Sequence, residues 1–118
     1  MILADTSVWV EHFRRKLPSL TEHLGQGEIA THAVVLGELA TGNLWQRAET
    51  LQWLNRLPRV AEPGMAECLA FIEQHKLFGM EIGWNDVQLL AAADHSRIPL
   101  WSIDKKLAGA ARRLRVRA

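Results

Sequence analysis

Two aspartates follow directly on short apolar runs: Asp5 on Ile2-Leu3-Ala4, and Asp104 on Leu100-Trp101-Ser102-Ile103. Runs so short and apolar read as buried strands, and open parallel sheets build their sites at the carboxyl ends of strands. A third acid, Asp86, opens a stretch otherwise made of Val87, Leu89, Leu90, Ala91, Ala92 and Ala93. A carboxylate there stands beside the core, where an isolated charge is costly. Glu38 lies within the equally apolar Val34-Val35-Leu36-Gly37-Glu38-Leu39-Ala40. If these four converge, they repel one another and raise their pKa values, and a divalent cation removes that repulsion. Oxygen donors suit Mg²⁺ or Mn²⁺, whereas zinc prefers nitrogen or sulfur.

Each acid also has an ordinary reading. Asp5 and Asp104 are placed for turn chemistry or for capping the helix that follows. Asp86 is placed as a first-turn acid favoured by the helix dipole. Glu38 can simply face solvent. Spacing alone does not bring the four together. Asp94, the remaining aspartate, falls about 12 Å further along the helix than Asp86 and is expected on the surface.

Other chemistries find less support. The five histidines (His12, His23, His32, His75, His95) show no HxxxH or HxxEH pairing, and Cys68 is the one cysteine, which argues against structural zinc. No phosphate-cradling GxxxxGKS/T or GxGxxG is present, and no GxSxG elbow. Asp5-Thr6-Ser7 lacks the second aspartate of an aspartyl-phosphate phosphatase, but spacing leaves a phosphotransfer site at Asp5 open. The tryptophans (Trp9, Trp45, Trp53, Trp84, Trp101) have the rings to stack bases, although core or groove packing is the expected role for most.

The elements that must position these acids alternate between strand and helix. Strands are expected over Ile2 to Asp5, Glu28 to Thr31, Arg59 to Glu62 and Leu100 to Ile103, with Val116 as an added edge. Helices are expected over Ser7 to Arg14, where Trp9 and Phe13 pair at i,i+4. Others follow a capping box at Ser19-Leu20-Thr21-Glu22 and cover Val34 to Thr41, Gln46 to Leu57, Gly64 to Leu77, Asn85 to Arg97 with Asn85 as N-cap, and Lys105 to Leu114. Such alternation favours an α/β fold, a parallel sheet covered by helices on both faces.

At 118 residues and 48% hydrophobic, the chain is expected to form one domain over residues 1–118 with a core of its own. One cysteine permits no internal disulfide, which suits a reducing cytoplasm. The start of the chain carries neither a basic segment nor a long apolar run, so neither a signal peptide nor a membrane span is expected. Charge is unevenly spread. Lys105, Lys106, Arg112, Arg113, Arg115 and Arg117 end the chain with no acid among them, leaving 8 basic against 13 acidic residues upstream. That run reads either as a solvated helix and tail or as a footprint for a phosphate backbone or an acidic partner.

The opening Met1-Ile2-Leu3-Ala4-Asp5-Thr6-Ser7-Val8-Trp9-Val10 resembles the start of PIN-domain proteins, especially VapC-type toxins. Val35-Leu36-Gly37-Glu38-Leu39 resembles that family's second acidic motif. Ile82-Gly83-Trp84-Asn85-Asp86-Val87-Gln88-Leu89-Leu90-Ala91 resembles the third, and Leu100-Trp101-Ser102-Ile103-Asp104-Lys105-Lys106-Leu107 the fourth. The motifs occur in order and span nearly the whole chain. Asn85 stands where many relatives carry an apolar residue, and Ile103 where a basic one is frequent.

The resemblance implies a three-layer α/β/α fold around a mainly parallel sheet of four to five strands. It implies a Mg²⁺-dependent (or Mn²⁺-dependent) endoribonuclease with Asp5, Glu38, Asp86 and Asp104 as catalytic and metal-binding residues. Asp5, Asp86 and Asp104 are the expected ligands, with Glu38 ligating through water or orienting the nucleophile, and metal-activated water cleaves the phosphodiester. Whether Ser7 or Ser102 assists is left open. The implied partners are an RNA substrate such as tRNA or rRNA, a cognate antitoxin and a second copy of the chain, with no membrane, in the cytoplasm. Trp9, Phe13, Leu17, Leu20 and Leu24 form either ordinary core or a groove for an antitoxin helix. Two rivals stand beside this reading: a catalytically silent module that binds RNA or antitoxin, and a small phosphatase or phosphotransfer protein using Asp5.

Overall fold

Three parallel strands, Ile2–Ala4 (β1), Ile29–Ala30 (β2) and Leu100–Trp101 (β3), pair in the order β2-β1-β3 in the computed structural model, which describes residues 1–116. Leu3 pairs with Ala30 on one side and Leu100 on the other. The chain therefore leaves the central strand β1 toward one edge and returns on the opposite edge. In parallel sheets a crevice opens at such a reversal, outside the carboxyl ends of the strands. Leu3 and Ala4 are fully buried, so Asp5 has to emerge at that end.

The expected four- to five-stranded sheet is thus reduced to three strands among the described residues. Arg59 to Glu62 contributes a single parallel bridge, Thr31 to Arg59. Pro58 and Pro63 flank that segment, and proline donates no ladder hydrogen bond. At the other edge the Leu100 amide donates to the Val116 carbonyl, one bond without a strand.

Seven helices accompany the sheet: Thr6–Arg15 (α1), Pro18–Gly25 (α2), Ala33–Ala40 (α3), Arg47–Asn55 (α4), Met65–His75 (α5), Trp84–Ser96 (α6) and Lys105–Arg113 (α7). The capping box at Ser19 does not form. Pro18 opens α2 at its first position, where a missing N–H costs nothing, and Leu17 is the N-cap without a side-chain bond. Asn85 is likewise not a cap. Gly83 takes that place, and Asp86 reaches back to its amide.

α6 is the spine of the molecule. It buries Val87, Leu89, Leu90, Ala91, Ala92 and Ala93 and packs on α3, α5 and β3. Burying a leucine side chain contributes roughly 1.5–3 kcal/mol, so α6 is fixed firmly enough to hold Asp86 at its start. Of the five residues considered for an antitoxin groove, Trp9, Leu17 and Leu20 are buried core and Leu24 is partly buried; Phe13 alone stays exposed. Trp9 and Phe13 do stack, with ring centroids 5.9 Å apart. Of the tryptophans, Trp9 is buried, Trp101 packs on the core and Trp53 meets the Trp9 ring edge-on at 5.8 Å, while Trp45 and Trp84 are exposed. No helix is long and apolar enough to cross a membrane among the described residues.

Candidate active site

A cavity of about 460 Å³ opens at the carboxyl end of β1 and β3, lined by Asp5, Glu38, Asp86 and Asp104. Four elements deliver these acids. Asp5 and Asp104 both cap helices and line the cavity, so the ordinary capping role does not remove them from the candidate site. Asp5 accepts from the Val8 amide at 3.1 Å and caps α1. Asp104 accepts from the Lys106 and Leu107 amides at 2.9 and 3.0 Å and caps α7. Asp86 accepts from the Gly83 amide at 3.2 Å in the first turn of α6. Glu38 comes from α3 and is exposed, yet it faces the same cavity.

Hydroxyl groups brace the acids. Thr6 Oγ1 donates to Glu38 at 2.6 Å, tying α1 to α3. Ser7 Oγ donates to Asp5 at 2.6 Å and accepts from the Ile103 amide at 2.9 Å. Ser102 Oγ accepts from the Asp104 amide at 3.1 Å and lies 3.4 Å from Ser7 Oγ. The two serines thus join the Asp5 turn to the Asp104 turn across the β1–β3 crevice. Their hydrogen bonds suit them to position the two acids. Thr6, Glu11, Val10 and Leu89, which also line or brace the cavity, were not singled out from sequence; Glu11 stands one helical turn after Ser7, on the same face of α1.

The electrostatics match the crowding. Burial pushes the Asp5 carboxyl above its ordinary range, against the pull of the Ser102 and Ser7 hydroxyls and the Val8 and Ser7 amides. Burial also raises Asp86, opposed by the Gly83 amide and reinforced by the charges of Asp104, Glu38 and Asp5. Like charges that act on one another in this way share one site. By contrast, Asp94 is exposed at the far end of α6 and lines a different cavity.

The donor set fits a hard divalent cation. In Glu38, Asp86 and Asp104 one carboxylate oxygen takes the intramolecular hydrogen bonds, and the other has no protein donor among the described residues. Those free oxygens are the ligands Mg²⁺ or Mn²⁺ prefers. Among the described residues no three acidic, imidazole or thiol groups form a ready-made metal cage; the acids ring the cavity. His32 has a different task. It is buried, its Nδ1 accepts from the Val34 amide at 2.9 Å, and it caps α3. Burial holds its imidazole below the ordinary range, with Glu62 opposing and Arg59 reinforcing.

The chain is 38% identical over 111 residues to Ribonuclease VapC32 of Mycobacterium tuberculosis, in both strain CDC 1551 / Oshkosh and strain H37Rv. The match covers 93% of this chain and 90% of the relative. Among solved structures it is similar to PAE2754 from Pyrobaculum aerophilum, with a TM-score of 0.62 and 15% identity over 92% of this chain and 78% of that one. The second likeness speaks to the fold alone. No family model matches the chain.

Proposed function

Since the chain belongs to the VapC family of PIN-domain ribonucleases, we propose that it is the toxin endoribonuclease of a toxin–antitoxin pair and hydrolyses RNA with a divalent cation held by Asp5, Glu38, Asp86 and Asp104. The observation that carries this reading is the convergence of four carboxylates, each from a separate element, on one cavity at the sheet's carboxyl end. The family's three-layer α/β/α arrangement is part of the same reading, with the Thr31–Arg59 bridge and the Leu100–Val116 bond standing in for its outer strands.

When bound, the cation supplies positive charge that acidifies a water and offsets the charge building on the phosphate. The chain's own residues prepare the place. Asp5 is fixed by Ser7 and by the start of α1, so its orientation is set before substrate arrives. Asp104 is fixed by its two cap bonds and by Ser102. Thr6 holds Glu38 at the cavity's lip, where it can orient an attacking water. Asp86, raised by burial and by the charges of Asp104, Glu38 and Asp5, gains from a counter-charge. No side chain is asked to act as a covalent nucleophile.

Incubating labelled tRNA and rRNA with the protein tests this, with Mg²⁺, with Mn²⁺ and with excess EDTA. Cleavage in either metal and none in EDTA is the expected result. Undiminished cleavage in EDTA contradicts the metal, and phosphatase activity without cleavage favours the Asp5 phosphotransfer rival. Expression without a partner should arrest growth, and co-expression of the antitoxin should relieve it.

A further inference from the structure

The basic C-terminal run is not uniformly free. Lys105 and Arg112 make no ion pair among the described residues, and Arg113 donates to the His75 carbonyl at the end of α5. Among the described residues, Lys106 is the cation of that run that meets a carboxylate, that of Glu81. Each partner lies at or close in sequence to a backbone amide held by a cavity acid. The Lys106 amide is held by Asp104. Glu81 lies two residues before Gly83, whose amide is held by Asp86. The pair therefore joins the loop before α6 to the first turn of α7, the two elements that carry Asp86 and Asp104, beside the residues that line the cavity.

Glu81 adopts a left-handed backbone, φ +61°, which costs a non-glycine residue roughly 1–2 kcal/mol. Costly conformations persist where the surroundings over-determine them, and they cluster at functional sites. The pair is also weak enough to exchange. Both side chains are more than half exposed, and exposed ion pairs contribute about 0–1 kcal/mol. An RNA phosphate approaching four carboxylates meets a repulsive field and needs a cation at the rim. Lys106 is that cation by position, and Glu81 occupies it.

We propose that Glu81 is an internal competitor for Lys106: the lysine docks a substrate phosphate, and the Glu81 carboxylate masks it until RNA displaces the pair. This rests on the RNA-cleaving reading. It makes Lys106 a substrate-binding residue and Glu81 a restraint on affinity.

The test is binding of a fluorescently labelled oligouridylate in EDTA, at several salt concentrations, to wild type, Glu81→Gln, Lys106→Gln and the double variant. Glu81→Gln should bind roughly twofold to fivefold more tightly than wild type. Its salt dependence should steepen by about one phosphate contact. Lys106→Gln should bind more weakly, and the double variant should match Lys106→Gln. Equal or weaker binding by Glu81→Gln overturns the proposal. So does tightening that survives in the Lys106→Gln background, since that reflects loss of a negative charge and not release of the lysine. Failure of all four proteins to bind overturns the proposal, whereas failure to cleave tRNA and rRNA with either metal is what would overturn the RNA reading on which it rests.

Discussion

The two ends of α6 carry the same residue type and do different things. Asp86 begins the helix at the sheet's carboxyl edge, half-buried, bound to the Gly83 amide and surrounded by Asp5, Glu38 and Asp104. Asp94, eight residues on, is exposed at the other end, beside Arg97 and Arg115 in an unrelated cavity. Helix propensity does not separate them. The sheet does: β1 and β3 end on the Asp86 side, so that end of α6 shares a crevice with two other aspartates. A carboxylate becomes a candidate ligand through which end of the strands it faces.

Cleavage separates the two ends most sharply. Asp86→Asn should lower Mg²⁺-dependent RNA cleavage by about a hundredfold or more, since even indirect disturbance of metal ligands costs 10- to 100-fold. Asp94→Asn should cleave at the wild-type rate. Equal activity of the two variants, measured under single-turnover conditions, would erase the contrast.

A smaller effect extends the comparison to the β1–β3 crevice. Ser7→Ala removes the hydroxyl that joins the Asp5 and Asp104 turns. It should lower kcat about tenfold with KM little changed, as for other supports of metal ligands, at a stability cost of about 1 kcal/mol. Ser7→Thr should recover part of kcat. A change confined to KM would assign Ser7 to RNA contact instead.

The smallest effect is on stability and pH. The folded pKa of Asp86 is raised above its ordinary 3.8, chiefly by burial, and that of Asp5 likewise. Ionising them therefore costs stability. The cost is absent below the unfolded pKa and grows as pH rises through the folded value. Metal-free protein should lose stability across that window, and Mg²⁺ should restore it at neutral pH by binding the folded state. Asp86→Asn should flatten the metal-free pH dependence and raise the neutral melting temperature by about two degrees. Asp94→Asn should track wild type. Melting curves from about pH 4 to 8 read this directly, and a steeper pH loss in Asp86→Asn would contradict it.

Much of the site was legible because its acids sit at punctuated places. Asp5 and Asp104 each follow a short apolar strand, and Asp86 begins an apolar helix. What was not legible depends on contacts distant in sequence or on groups without a side-chain signature. Ser7 and Ser102 are 95 residues apart, and Glu81 and Lys106 are 25 apart, so no local pattern announces either pair. Gly83 caps α6 without a side chain, which misdirected the cap to Asn85. Arg59 to Glu62 has strand-like composition, but with a proline at each flank it forms one bridge. The exposed Trp45 and Trp84 show that an aromatic residue alone does not mark core. Arg117, last of the basic run, lies outside the described residues.

The most direct measurement is a Mn²⁺ titration followed by electron paramagnetic resonance, in which the free aqueous ion gives the signal and the bound ion does not. Wild type and Asp94→Asn should each take up Mn²⁺ saturably, and Asp5→Asn, Asp86→Asn and Asp104→Asn should each lose most of that uptake while staying folded. No saturable uptake by wild type, or equal uptake by Asp86→Asn and Asp94→Asn, would contradict a cation held by the converging acids.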